Sequence, residues 1–215
     1  MSIYAASAAV ARLLARLYLP RIEVRGRAHV PPAGPFLLLA NHQSILDPIL
    51  IQAFCPRPLH TMTKSTQFAA PGMGWYLPRL NAFPVRRFQV DPQAVRFALR
   101  RLEEGHGVGI YVEGERSWDA RLQPPRLGTL RLMLKAGVPV VPCAIAGSYD
   151  VWPRWHGGLR RAPVRITFGE PLRFPRCGRR AEREPCLEEA SQALMAALRG
   201  LLGAPAAGPE PAGRS

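Results

Sequence analysis

The run Pro35-Phe36-Leu37-Leu38-Leu39-Ala40, bounded by Gly34-Pro35 on one side and by Asn41-His42 on the other, constrains the fold of this chain more than any other segment and sets a strand near 35–40. It is short and apolar at every position, so neither face of a strand built from it can meet water. That is the pattern of a strand covered by helices on both sides, as in an α/β sheet. The next segment, Ile45-Leu46-Asp47-Pro48-Ile49-Leu50-Ile51, has helical spacing. Further strands are expected near 20–25, 59–63, 82–85, 108–112, 139–146 and 163–168, and helices near 45–54, 91–104, 128–136 and 184–201. Local chemistry supports several boundaries: Asp91-Pro92 as N-cap and first helical residue, Gly105 and Gly137 as helix terminators, and Pro139 as the start of Val140-Val141. The expected architecture is a single α/β domain with a mixed central sheet flanked by helices.

Length and composition agree. A chain of 215 residues with 47% hydrophobic content can bury one full core, no repeat or linker interrupts residues 20–200, and 20–202 is expected to form the domain. The segment Gly203-Ala204-Pro205-Ala206-Ala207-Gly208-Pro209-Glu210-Pro211 cannot bury apolar surface, so 203–215 is expected to be a disordered tail. A net charge of +14 predicts attraction to anionic partners: phospholipid headgroups, nucleic acid or phosphorylated metabolites. Of the 29 basic residues only Lys64 and Lys135 are lysines, a bias that codon usage can produce, but codon usage does not account for there being only 15 acids. Cys55, Cys143, Cys177 and Cys186 form no Cys-x-x-Cys pair and have no histidine at zinc spacing, which points to neither a disulfide framework nor a metal site and fits a reduced, cytosol-facing protein.

Residues 1–19 form a further amphipathic unit. Ile3, Val10, Leu13, Leu14, Leu17 and Tyr18 recur at helical spacing while Arg12, Arg16 and Arg21 offer charge to headgroups. The segment is too short and too charged to span a bilayer. Two readings stand side by side: a helix lying in the membrane interface, and an ordinary helix packed on its own domain.

Three clusters carry possible chemistry. His42 and Asp47 follow the first apolar strand, where a histidine can take a proton and a carboxylate can fix its tautomer. Asp47-Pro48 is equally a good helix N-cap, and Ser44-x-x-Asp47 resembles a capping box. Tyr111-Val112-Glu113-Gly114-Glu115-Arg116-Ser117 follows Val108 to Val112; its glycine permits a tight turn and Arg116 offers a bidentate donor to phosphate or carboxylate, although a solvated loop has the same composition. Asn81-Ala82-Phe83-Pro84-Val85-Arg86-Arg87 ends an apolar strand on two arginines, which in so arginine-rich a chain also suits plain surface charge.

The order of these blocks is more telling than any one of them. Asn41-His42-Gln43-Ser44-x-x-Asp47-Pro48, then the Arg87 block, then Glu113-Gly114-x-Arg116-Ser117, then Ala136-Gly137-Val138-Pro139-Val140-Val141-Pro142 closely resembles the lysophosphatidic acid acyltransferase family of glycerolipid acyltransferases, over roughly residues 20–170. Val24-x-Gly26 with Pro31-Pro32 before the blocks and Phe168-Gly169-Glu170-Pro171 after them also resemble the family. The resemblance implies a glycerolipid acyltransferase-like fold and acyl transfer from acyl-CoA or acyl-carrier protein to the free hydroxyl of 1-acyl-glycerol-3-phosphate. It implies His42 of the HX4D motif as general base, Asp47 as its orienting partner, and Arg87, Glu113, Gly114 and Arg116 as acceptor-binding residues. It implies no metal or redox cofactor, a lysophospholipid acceptor as partner, and a peripheral place on the cytoplasmic face of an anionic membrane. A nucleic-acid partner is not expected, since no aromatic-basic interleaving of a recognised module is present.

The chain also departs from the family pattern. Tyr111-Val112 stands where Phe-Pro is usual, Glu115 where threonine is usual, Asn81 for a glycine, Pro84 for an aromatic or aliphatic residue and Arg86 for a frequent aspartate. A carboxylate beside a phosphate site opposes binding by on the order of 1 kcal/mol at ~4 Å in water, which leaves glycerol 3-phosphate or a phosphate-free lyso-lipid as alternative acceptors. Backbone N–H groups at the start of the helix after Ser44 are candidates for stabilising the developing oxyanion.

Overall fold

The computed structural model describes residues 2–89, 91–175 and 183–203. The expected tail lies almost wholly outside them. Seven strands form one sheet in the order β1-β7-β6-β2-β5-β3-β4, with β1 at Ile22–Arg25, β2 at Phe36–Ala40, β3 at Leu59–Lys64, β4 at Ala82–Val85, β5 at Gly107–Tyr111, β6 at Val140–Ala146 and β7 at Val164–Phe168. β2 to β6 run parallel to one another; β7 pairs antiparallel with β6 and parallel with β1. The sheet is therefore mixed.

Strand β2 lies between β6 and β5, and all five of its residues are buried. Its side chains alternate between two cores. Phe36, Leu38 and Ala40 join a cluster with Leu50, Ile51 and Phe54 of α2 (Asp47–Phe54) and Ala15 of α1 (Ile3–Tyr18). Leu37 and Leu39 face the opposite way, onto residues of three other helices. These are Ala98 of α4 (Pro92–Glu103), Met133 of α5 (Leu127–Ala136) and Leu194 of α7 (Arg183–Gly203). A strand covered in this way must be apolar throughout, which accounts for the continuous run.

Two short helices carried no clear signal in the sequence: α3 (Met73–Arg79), which holds Gly74 and Pro78, and α6 (Ser148–Val151). Asp91 does cap α4, accepting from the Gln93 and Ala94 N–H groups, and Gly105 and Gly137 adopt positive φ at the ends of their helices. Gly26 has φ +66, and a Cβ there would sit 1.9 Å from the Phe168 carbonyl oxygen. This close approach locks the turn after β1 onto the end of β7, and only glycine permits it.

Helix α1 packs on the domain along one side and leaves its other side exposed. On the packed side Ala15 is buried, the Tyr4 hydroxyl accepts from the Leu59 N–H, and Arg12 donates to the Ala53 carbonyl at the end of α2. Arg12 therefore serves the protein's own helix terminus, not an external anion. On the other side Val10, Leu13, Leu14 and Leu17 are each more than half exposed. Among the described residues no helix is long and apolar enough to cross a membrane. Cys55 and Cys143 are free and buried, while Cys186 is disulfide-bonded, a pairing that Cys spacing alone did not reveal.

Candidate active site

Because β2 to β6 are parallel, their carboxyl ends share one edge of the sheet, and the segments that follow four of them converge there. β2 delivers His42, β4 Arg87, β5 Glu113 to Arg116, and β6 the segment from Ser148 to His156. The six residues singled out in the sequence thus lie in segments that meet at one edge.

His42 Nδ1 lies 2.8 Å from Asp47 Oδ2. The same oxygen accepts from the N–H groups of Gln43 at 2.6 Å and Ser44 at 2.8 Å. Asp47 is fully buried. A carboxylate oxygen at Nδ1 selects the tautomer with the proton on Nδ1, leaving Nε2 as the nitrogen with a free lone pair. Asp47 thus does more than begin α2. Half of the anticipated capping box forms, the Ser44 N–H to the Asp47 side chain, while the Ser44 hydroxyl turns away and donates to the Trp152 carbonyl. The N–H groups of Gln43, Ser44, Leu46 and Asp47 are all engaged within this loop. Those of Gln43 and Ser44 hold Asp47, and those of Leu46 and Asp47 bond back to Ser44, so these four donors are taken up inside the loop.

The imidazole stacks on Tyr111, ring centroids 4.1 Å apart and planes 24° from parallel. Burial pushes the Tyr111 phenol well above its ordinary range, so it remains a neutral platform. The His42 backbone is clamped on both sides: its N–H donates to Glu113 Oε1 at 3.0 Å and its carbonyl accepts from the Ser117 N–H at 2.8 Å. Asn41, one residue earlier, bonds both the N–H and the carbonyl of Ile145, tying the end of β2 to the end of β6. Glu113 thus meets the His42 backbone through Oε1. Gly114 takes φ +71 directly after it, the tight turn that glycine was expected to permit.

Glu113 is 3% exposed, and burial raises its carboxyl from 4.5 to about 7. Between those values the folded chain binds a proton that the unfolded chain has released. Stability conferred by the neutral carboxyl is complete below 4.5 and is lost as pH rises toward 7, by on the order of 3 kcal/mol. Glu113→Gln should flatten this decline, checked by urea unfolding midpoints at several pH values from 4.5 to 8. The same slope in both proteins would refute it.

Arg87 and Arg116 are half-buried, and among the described residues neither side chain makes a hydrogen bond. Burial lowers both guanidinium pKa values, and neighbouring arginines add to the effect: Arg116 on Arg87, and Arg154 on both. Asp47 acts on Arg116 in the opposite sense, which links the cations to the dyad. Glu115 points away from opposing them: Oε1 pairs with Arg126 at 3.2 Å and Oε2 with Arg154 at 2.8 Å. Sequence reasoning missed Tyr111 as a platform, Asn41 as a brace, and Arg126 and Arg154 as partners of Glu115; Asn41 and Tyr111 stood in motifs that drew attention to them, whereas Arg126 and Arg154 did not.

The other departures also find local reasons. Asn81 has φ 59, a left-handed conformation that asparagine tolerates better than most residues. Pro84 lies in edge strand β4, where a missing N–H costs no central ladder bond. Arg86 turns to Asp91, its N–H 2.9 Å from Oδ2.

A buried histidine–aspartate pair thus lies near two half-buried guanidinium groups that make no hydrogen bond among the described residues. The acyltransferase family model matches residues 21–146, more than half of the chain, and the protein belongs to that family. The chain is 29% identical over 158 residues to the chloroplastic 1-acyl-sn-glycerol-3-phosphate acyltransferase BAT2 of Brassica napus, covering 71% of this chain and 45% of that protein. It is 25% identical to the 1-acyl-sn-glycerol-3-phosphate acyltransferase of Bacillus subtilis, covering 70% and 73%. The chain thus spans less than half the length of the Brassica relative. The crystal structure of the 1-acyl-sn-glycerophosphate acyltransferase from Thermotoga maritima superposes with a TM-score of 0.72 at 23% identity, covering 93% of this chain and 80% of that one, so the fold is shared.

Proposed function

We propose that this chain transfers a fatty acyl group from an acyl-CoA or acyl-carrier-protein thioester to the free hydroxyl of 1-acyl-glycerol-3-phosphate, in phospholipid biosynthesis. The observation that carries this reading is the buried His42–Asp47 dyad beside the unpartnered guanidinium groups of Arg87 and Arg116. The arginines bind the acceptor phosphate, and the acceptor hydroxyl donates to His42 Nε2. As the hydroxyl oxygen attacks the thioester carbonyl carbon, its proton passes to Nε2, and Asp47 stabilises the resulting imidazolium. Collapse of the tetrahedral intermediate breaks the carbon–sulfur bond, and the departing thiolate takes the proton from His42. Glu113 and Gly114 serve by fixing the loop that holds the His42 backbone. The thioester is already activated, so the reaction calls for no metal or redox cofactor. Thiol release that requires 1-acyl-glycerol-3-phosphate tests the assignment. Release with glycerol 3-phosphate or a phosphate-free lyso-lipid alone would reassign the acceptor, and no release with any acceptor and either donor would refute acyl transfer.

The exposed leucine face of α1 supports a peripheral position on an anionic membrane, at its cytoplasmic face, with residues 1–19 as the interfacial element and 20–202 as the acyltransferase domain. Because α1 also packs on the core, deleting it would confound binding with folding. Replacing Leu13, Leu14 and Leu17 with serine leaves the packed side intact and should at least halve the fraction sedimenting with vesicles containing phosphatidylglycerol. Unchanged sedimentation would remove the helix from the interface.

A further inference from the structure

We infer that Arg154 is a third phosphate-binding guanidinium of the acceptor site and a determinant of selectivity for phosphate-bearing acceptors. The inference rests on the acyl-transfer reading above. Arg154 lies beyond the family-matched segment, eight residues after β6 ends. Gly147, at φ +84 and with its α-carbon so close to the Pro163 carbonyl that a Cβ would sit 2.0 Å from the oxygen, lets the chain turn sharply out of β6 into α6. Val151 is then buried in the core, and the Trp152 carbonyl accepts from the Ser44 hydroxyl at 2.8 Å. The base of the segment is thus fixed against the same loop that carries His42.

From this base Arg154 reaches across to the segment after β5. Its Nη1 donates to Glu115 Oε2 at 2.8 Å and to the Arg116 carbonyl at 3.1 Å, and its guanidinium lies 3.7 Å over the Trp118 ring. Both hydrogen bonds use Nη1, so the Nε and Nη2 donors have no hydrogen-bond partner among the described residues. Stacking and two hydrogen bonds from one nitrogen hold a planar fork in one orientation, which lowers the entropy lost when it takes a ligand.

Charge counting leads to the same place. Arg87, Arg126 and Arg154 interact with the carboxylate of Glu115 and Arg116 with that of Asp47, so four guanidinium groups face two carboxylates and two positive charges are in excess. Arg154 contributes to the lowered pKa values of both Arg87 and Arg116, so these three cations repel one another in the free protein. A phosphate monoester, with close to two negative charges, turns that repulsion into attraction. Glu115, which on sequence alone argued against a phosphate acceptor, instead holds the extra cation in position.

The test compares wild type with Arg154→Ala in two assays. In turnover, the ratio of kcat/KM for 1-acyl-glycerol-3-phosphate to kcat/KM for 1-acyl-glycerol should fall about tenfold, the loss of one charge-assisted contact. Calorimetric binding of glycerol 3-phosphate, which needs no chemistry, should weaken by a similar factor. An unchanged ratio with unchanged glycerol 3-phosphate affinity overturns the inference, as does an equal loss toward both acceptors, which marks a structural role. If wild type turns over neither acceptor, the acyl-transfer reading fails while the calorimetric arm still decides whether Arg154 binds phosphate.

Discussion

Replacing His42 with alanine should lower kcat for acyl transfer by about a thousandfold while changing the KM for the acceptor only a few-fold. General-base catalysis contributes roughly 10²–10⁴ to a rate, and the geometry places the full requirement on one nitrogen. Nδ1 is committed to Asp47, the ring is held by Tyr111, and the backbone is clamped by Glu113 and Ser117. The imidazole contacts Asp47 and Tyr111 and, among the described residues, makes no hydrogen bond or ring contact with an arginine, so acceptor affinity should largely survive. The loss would be read by steady-state kinetics over a range of acceptor concentrations. A kcat within tenfold of wild type would remove His42 from proton transfer.

Arg116→Ala is expected to give the complementary pattern: a KM for 1-acyl-glycerol-3-phosphate raised by about a hundredfold, with kcat reduced far less than in the His42 variant. A charge-assisted hydrogen bond contributes roughly 1.5–3 kcal/mol, and a bidentate arginine at the centre of the cluster sits at the upper end of that range. Arg116 has Asp47 on one side and Arg154 on the other, so it lies between the dyad and the outer cations. The same kinetic series decides the roles. A dominant kcat effect in Arg116→Ala with a dominant KM effect in His42→Ala would reverse the assignments.

Much of this architecture was legible because burial leaves a strong mark on sequence. β2 is apolar at every position because helices cover both faces, and β6 is nearly so for the same reason, with Pro142 falling beside the change of partner from Leu172 to β7. The ends of α4 and α5 were legible through Asp91, Gly105 and Gly137, whose backbone requirements are local. α3 and α6 were not, since helices of seven and four residues cannot show a period, and α3 contains a proline that argues against it.

The site divides along the same line. His42 and Asp47 are close in sequence and connected by one turn, so their contact could be anticipated from spacing. The Glu115–Arg154 pair spans 39 positions and two loops that only the parallel sheet brings together. From sequence, Glu115 was therefore an unexplained negative charge at a phosphate site; with Arg126 and Arg154 in place it is the counter-ion that organises the cluster. The stacking of His42 on Tyr111 was hidden for a related reason, because pairing between β2 and β5 sets Ala40 opposite Tyr111, and sequence alone gives no register.

The most direct test of the account is to follow conversion of radiolabelled 1-acyl-glycerol-3-phosphate to diacylated product with acyl-CoA and, in parallel, with an acyl-carrier-protein donor, for wild type and His42→Ala. Acceptor-dependent product from wild type with at least one donor, reduced about a thousandfold in the variant, is the predicted result. Equal product from both proteins, or none from wild type with either donor, would contradict it.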